Sequence, residues 1–535
     1  MADKRRDAMY RFSNALQRFV NTNFGMAWRV VQRIGPLEKV VNRLLVNSGV
    51  DNLPARPYAL STRQDYTSWD ALLDKTYNAR QLPPTEHRRT SPDARAVLTL
   101  FARDEFLESP KSTVLFAYVA QWFTDGFLRS DRSVNKPKRD IRRNESTHEV
   151  DMAQLYGLTT AITDMLRDRS DRALLAHQVV GGEEYPPNLF DDHGERVEQF
   201  KDLPVIGIDR PGVDKTQLLA MGSDTSNTQI GYAMINTLFL REHNRIAREI
   251  RGANPSWDAD RVFAAARCTL TVVLIKLLIE EYINHISPYH FQFRFDPRGF
   301  DKQPWMRPNR VAVEFNLLYR WHNLIPPTFR IGGQDLPLEA TTMFKTKALL
   351  TGHGLGALYE SASRQASGRI CSRNTAPWFL DRVELPSIEA GRDVRLRGFN
   401  DYRQQCKFPR AATFEDISSD PQISARLAEL YRDPDDVEFF VGLFAEDVPK
   451  GYIMPPLMNR MLAIHAFSQL MTNPLLAPQV YGEHTFSARG MRTIEETKSL
   501  KQVLQRNVPA GSPDWFVSLT REDYERGPDR YAFHG

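Results

Sequence analysis

Apolar residues recur at helical spacing from the start of the chain. Leu37, Val40, Val41, Leu44 and Leu45 fall at i, i+3, i+4, i+7 and i+8, one face of a helix. Phe12, Leu16, Phe19 and Val20 form a similar stripe, and Phe24, Ala27, Trp28, Val31 and Ile34 another, with residues 21–23 and the Gly35-Pro36 pair as breaks. The pattern predicts short amphipathic helices over residues 1–52. From 53 to 84 Pro, Ser, Thr and Asp crowd together, which predicts an extended linker over the surface. Residues 85–535 then form one long domain with helices over 114–127, 229–250, 258–286 and 344–363. Alternating strand patterns are few, so the expected fold is mainly α. The longest apolar run, 270–279, contains Lys276 and is too short to span a bilayer. It reads as a buried core helix.

Charge changes the picture only at the N-terminus. The 535 residues carry +4 overall, too little to suggest nucleic acid as a partner. Residues 1–50 hold nine Lys or Arg against three acids. Basic residues beside Trp and Phe suit helices lying in a membrane interface, here over 8–50. The alternative is that the stripes pack on the protein's own core. Arg11 and Arg18 interrupt any apolar run near the start, so no secretory signal peptide is expected. Cys268, Cys371 and Cys406 are far apart and odd in number, which predicts no disulfide framework and a reducing, intracellular compartment; with the N-terminal helices the expected location is intracellular and peripheral to a membrane.

Candidate chemistry centres on residues 313–326, where Tyr319 stands three residues before His322 with Trp321 between them. On a helix these two side chains would share a face, about one turn apart. A tyrosine that close to an oxidised metal centre on the histidine is suited to radical chemistry. The pair alone is weak evidence. Other segments strengthen it: 64–69, 150–157, 182–187, 239–245, 278–282, 289–297 and 398–402. Together they resemble cyclooxygenases (prostaglandin-endoperoxide synthases) and their fatty-acid dioxygenase relatives within the animal haem peroxidases. The resemblance covers roughly residues 37–500.

That resemblance implies a helical, cyclooxygenase-like catalytic domain with b-type haem (iron protoporphyrin IX) as cofactor. His322 corresponds to the proximal iron ligand, Trp321 to its neighbour, Tyr319 to the radical tyrosine and Tyr282 to its hydrogen-bond partner. Ile283, Ile286, Ser287, Phe315 and Leu318 correspond to residues lining the acyl channel, and Tyr289 to the tyrosine at its mouth. The implied partners are an unsaturated fatty acid, dioxygen and a membrane surface, with a homodimer left open. The segment 239–245 is expected to anchor the domain by buried ion pairs, so His243 is not the iron ligand. Three positions depart from the family. Gln121 keeps the distal glutamine, but Asp125 stands where the distal histidine belongs, so peroxidase activity is expected to be weak or absent. The arginine that pairs with the mouth tyrosine is missing near Gly49, with Arg43 and Arg56 nearby in sequence. The serine that aspirin acetylates is replaced by Ala466, with Ser468 close by. The implied activity is oxygenation of unsaturated fatty acid through a Tyr319 radical, giving hydroperoxides or endoperoxides. The alternatives are a haem peroxidase acting on small reductants and a membrane-docked haem protein without turnover.

Overall fold

The computed structural model describes residues 24–50, 60–86, 91–130, 140–209, 211–307, 309–337 and 345–524. The helices that position the site are α1 (Gly25–Arg33), α2 (Gly35–Val50), α3 (Val114–Thr124), α4 (Ile230–Ala253), α5 (Ala259–Leu277), α6 (Val313–Leu318), α7 (Thr346–Arg364), α8 (Pro456–Met471) and α9 (Glu483–Glu496). Strand structure among the described residues is limited to three antiparallel pairs. β1 (Glu108–Thr113) pairs with β6 (Ala366–Gly368), β2 (Gln178–Val180) with β3 (Glu183–Tyr185), and β4 (Thr328–Ile331) with β5 (Gln334–Pro337).

Local chemistry sets the helix starts. Asp258 caps α5 by accepting from the Arg261 backbone, and the Gln229 side chain caps α4 at Gly231. Gly231 also lets α4 cross α3 closely, because a Cβ there would run into the Tyr118 ring. The centre of the protein is α4 packed between α3, α7, α5 and α9, with Leu238, Ile250, Val262, Leu270 and Ile275 fully buried.

The expected helix over 258–286 is continuous but changes character. It runs as α5, then a π-helical turn Leu278–Ile283, then Asn284–Ile286. The whole of Ala259–Ile286 is long and apolar enough to cross a bilayer by composition, yet 78% of its apolar window is buried inside the protein. This agrees with a core helix. The π turn, a feature frequent at functional sites, carries Tyr282 and Ile283, which are buried in the core and line a cavity inside it.

The expected surface linker differs from what is found. Residues 51–59 lie outside the described residues, and 78–81 run through the interior. The Ala79 backbone pairs with Val311 and Val313, and Asn78, Arg80 and Gln81 are all buried. Pairing with the strand-like approach to α6 consumes backbone groups that a surface linker would leave to water.

The stripe of Phe12, Leu16, Phe19 and Val20 is outside the described residues. The other two are split between core and solvent. On α2, Val46 and Val50 are buried, while Leu37, Val40 and Leu44 are exposed. Met26, Val30 and Ile34 extend that exposed apolar row along α1. Polar pairs hold α2 in place: Asn42 bonds both backbone groups of Arg294, Arg43 pairs with Asp296, and Trp305 donates to Asn47.

The 239–245 segment does anchor the domain. Glu242 has no exposed surface and accepts from Arg245, Arg506 and Asn507. Arg241 pairs with Glu183, and Asn244 bonds the Leu175 backbone. His243 is enclosed against Tyr156. Burial alone would raise the Glu242 carboxyl, but Arg245 and Arg506 hold it below its ordinary value. Its stabilising contribution is therefore full at neutral pH and fades as pH falls through that depressed value. Glu242→Ala should cost about 3–5 kcal/mol in denaturant unfolding at pH 7, because two arginines lose a buried partner. The difference from the unaltered protein should shrink below about pH 4. An unchanged midpoint at pH 7 would show that the cluster carries no net stability.

Candidate active site

Helix α6 stops at Leu318. Tyr319 caps it with φ −90° and ψ 21°, Trp321 has ψ 50°, and a 3-10 turn begins at His322. Tyr319 and His322 therefore do not share the face of one helix, as the spacing predicts. The break in the helix brings both of them, with Arg320 and Trp321, onto the wall of one cavity of about 340 Å³. The facing wall is α3, through Ala117, Gln121 and Asp125.

His322 is neutral across the physiological range. Burial, with help from the Arg320 charge, lowers its pKa to about 3. Its Nδ1 has no hydrogen-bond partner among the described residues. A neutral imidazole with an unsatisfied nitrogen, set in a cavity wall, fits an iron ligand. The Phe379 ring packs 4.9 Å from the imidazole. The indole of Trp321 lies 4.5 Å from the Tyr319 ring.

Tyr319 has a second exposure. It also lines a narrower cavity of about 70 Å³, together with Tyr282, Ile283, Ile286, Ser287 and Tyr289. It is thus the residue shared by the two cavities. Burial raises the phenol's pKa, so it is protonated at any ordinary pH. The Tyr282 hydroxyl is close enough to perturb it, although no hydrogen bond of ordinary geometry joins them. Phe315 and Leu318 are buried behind this wall rather than on it. Phe315 meets Tyr319 edge-on at 5.2 Å and stacks on His465 at 4.4 Å, so it fixes the tyrosine's position.

On the α3 side, Gln121 accepts from Gln229, and both face the first cavity. Asp125 is bound tightly. Its Oδ2 accepts from Ser223 at 2.8 Å, Thr225 at 2.6 Å, Tyr232 at 2.9 Å and Arg129 at 3.1 Å. Four donors on one oxygen, one of them a guanidinium, favour the carboxylate anion. Burial and the Asp125 charge keep the Tyr232 phenol protonated. This set was only partly legible: Arg129 is four residues after Asp125, beyond the end of α3, but Ser223, Thr225 and Tyr232 come from a distant segment.

The second cavity also bears on two positions that the sequence leaves open. Ala466 presents its methyl to the cavity, while the Ser468 hydroxyl is buried and donates to Ile464. Gly49 is on the wall, Arg43 is committed to Asp296, and Arg56 lies outside the described residues. Sequence reasoning missed Arg460, which also lines this cavity. Its signal was the spacing of Asn459, Arg460, Ala463, Ala466 and Phe467 along one face of α8.

A helical domain that holds a neutral histidine in a large cavity, with a tyrosine opening onto a second one, has the architecture of a haem peroxidase. The chain belongs to the animal haem peroxidase family, which residues 126–516 match. Among curated proteins it is 30% identical to prostaglandin G/H synthase 2 of Gallus gallus over 502 residues, covering 92% of this chain and 80% of that one. It is also 30% identical to the Bos taurus protein of the same name, with 94% and 82% covered. Fatty acid alpha-dioxygenase of Oryza sativa shares the fold, with a TM-score of 0.68 at 18% identity over 89% of this chain and 90% of that one. Peroxidase A of Dictyostelium discoideum also shares it, with a TM-score of 0.67 at 20% identity over 87% and 99%.

Proposed function

We propose that this protein is a haem-dependent dioxygenase that converts unsaturated fatty acids to lipid hydroperoxides, or to endoperoxides where the chain folds back. The single observation that carries the reading is that Tyr319 borders both cavities, His322 lying in the wall of one and a mainly apolar lining with Arg460 in the other. The kinship with prostaglandin G/H synthases supports the substrate class.

His322 would ligate the iron of a b-type haem, with Trp321 beside it and Gln121 and Asp125 opposite. When bound, the haem would supply an oxidant strong enough to take a hydrogen atom, electron and proton together, from the Tyr319 phenol. The Tyr319 radical then removes one hydrogen atom from a bis-allylic carbon and becomes a phenol again. Dioxygen adds to the carbon radical. The resulting peroxyl radical takes the hydrogen atom back from Tyr319, which yields a hydroperoxide and restores the tyrosyl radical. Tyr282 orients the phenol, while Ile283, Ile286, Ser287 and Tyr289 line the space for the acyl chain. Apolar burial is worth about 0.8 kcal/mol per methylene, so each methylene seated against this lining would add to affinity. An account as a peroxidase of small reductants is less well supported, because the four donors on Asp125 stabilise its anion and make it a poor acceptor of the peroxide proton.

The N-terminal helices would dock on one leaflet. Met26, Val30, Ile34, Leu37, Val40 and Leu44 present apolar side chains to solvent, with Arg33 and Lys39 exposed beside them. Attraction to anionic lipid adds about 1 kcal/mol per basic residue near the surface. Replacing Leu37, Val40 and Leu44 together with glutamate should lower co-sedimentation with phosphatidylserine vesicles by about tenfold or more, since each such side chain is worth about 1.5–3 kcal/mol when buried. Oxygen uptake from detergent-dispersed fatty acid should survive. Undiminished vesicle binding by the triple variant would assign membrane contact elsewhere.

A further inference from the structure

The second cavity has one charged side chain on its described wall, and the proposed chemistry gives it no task. Arg460 sits on α8, whose Pro456, Asn459, Ala463, Ala466 and Phe467 line the same cavity. These six positions fall on a single helical face. The wall around them is apolar or uncharged, with the hydroxyls of Tyr289 and Tyr452 and the Asn459 amide as its polar groups besides Ser287, Tyr282 and Tyr319. No acidic residue lines the cavity among the described residues. Gly49, on the α2 part of the wall, offers no side chain.

The direction of the cavity follows from packing. His465 stacks on Phe315, and Phe315 meets Tyr319, so the Ala466 end of α8 lies toward the reactive tyrosine. Arg460 is six residues back along the helix, about 9 Å of axial rise from Ala466. The chain enters α8 from Tyr452 and Pro456 on the Arg460 side. A cation at one end, a tyrosine at the other and apolar side chains between them match an acyl chain with an ionised head.

We propose that Arg460 binds the carboxylate of the fatty acid. A guanidinium can hold a carboxylate by two parallel hydrogen bonds, which fixes its orientation as well as its charge. Tyr289, Tyr452 and Asn459 line the same cavity and can add neutral donors to the carboxylate. This assignment rests on the dioxygenase reading and sharpens it. With the head at Arg460, the carbons that reach Tyr319 come from the interior of the chain and not from the position next to the carboxylate. The product is then a mid-chain hydroperoxide and not a 2-hydroperoxide.

The test compares linoleate with methyl linoleate, which differ in the head group alone, using the haem-loaded full chain. The unaltered protein should favour the free acid in kcat/KM by roughly tenfold or more, as expected for loss of a charge-assisted bond. Arg460→Gln should raise KM for linoleate relative to KM for methyl linoleate by roughly ten- to hundredfold, and Arg460→Lys should recover part of that loss. Mass spectrometry should place the hydroperoxide in mid-chain. Equal use of acid and ester by the unaltered protein, an equal loss for both substrates in Arg460→Gln, or a 2-hydroperoxide product would each overturn the assignment. If Arg460→Gln does not bind haem, the Lys variant and the acid-to-ester ratio of the unaltered protein decide the question. If the unaltered protein consumes oxygen with neither substrate, the dioxygenase reading fails. Anaerobic calorimetry of linoleate against methyl linoleate then still decides the anchor, tighter binding of the acid supporting it and equal binding refuting it.

Discussion

His322→Ala should lose the Soret band of bound haem and, with it, all oxygen uptake. The imidazole is kept neutral by burial, with its pKa lowered to about 3, and its Nδ1 has no partner among the described residues. It is therefore ready to bind iron without first losing a proton. Removing groups that merely support a metal ligand costs about 10–100-fold in affinity, and loss of the ligand itself should cost more. Haem titration followed at the Soret maximum measures this directly. His322→Gly with added imidazole should recover part of the band, because the cavity wall would then accept the free base. A full Soret band together with full oxygen uptake in His322→Ala would place the ligand elsewhere. His243 offers no substitute, since it is enclosed between Tyr156 and Phe263.

Tyr319→Phe should separate the two activities that a haem of this family can support. Oxygen uptake with linoleate should vanish, because Tyr319 alone among the described residues lines both cavities. Whatever guaiacol peroxidation the protein has should survive. That residual activity should be small in the unaltered protein. Proton transfer by a distal base is worth about 10²–10⁴-fold, and Asp125 is a poor base while Ser223, Thr225, Tyr232 and Arg129 all donate to its Oδ2 and stabilise the anion. Oxygenation tolerates this defect, because each turnover returns the tyrosyl radical and needs only occasional reactivation, visible as a peroxide-dependent lag. Asp125→Asn should leave guaiacol oxidation nearly unchanged, and Asp125→His should raise it. Strong peroxidation in the unaltered protein, lost in Asp125→Asn, would show that the carboxylate is a working base.

Helical periodicity located the long helices to within a few residues, because their apolar faces point at one core. It did not predict the break after Leu318. Tyr319 and His322 have the spacing of a shared helical face, yet they reach the cavity through a capped end and a 3-10 turn. Nor did composition reveal that residues 78–81 are buried, because their backbone is satisfied by residues 311–313, far along the chain. Alternation of stripes on α1 and α2 was visible, but the split between core and exposed rows depends on the docking of Asn42 and Asn47 onto Arg294 and Trp305, which lie far along the chain. Asp125 was legible as a departure from the family. Its state was not, since three of its four donors lie about a hundred residues away. Arg460 was hidden for a similar reason: a lone arginine on an apolar helix gains meaning only once the helix is seen to wall a cavity.

The most direct test of the central claim is oxygen consumption by the haem-loaded protein supplied with linoleate and a trace of hydroperoxide. The account predicts sustained uptake after a lag shortened by added peroxide, about one dioxygen consumed per hydroperoxide formed, and none in Tyr319→Phe. A protein with a full Soret band that consumes no oxygen with linoleate or arachidonate, or a Tyr319→Phe variant that consumes it at the unaltered rate, would contradict the account.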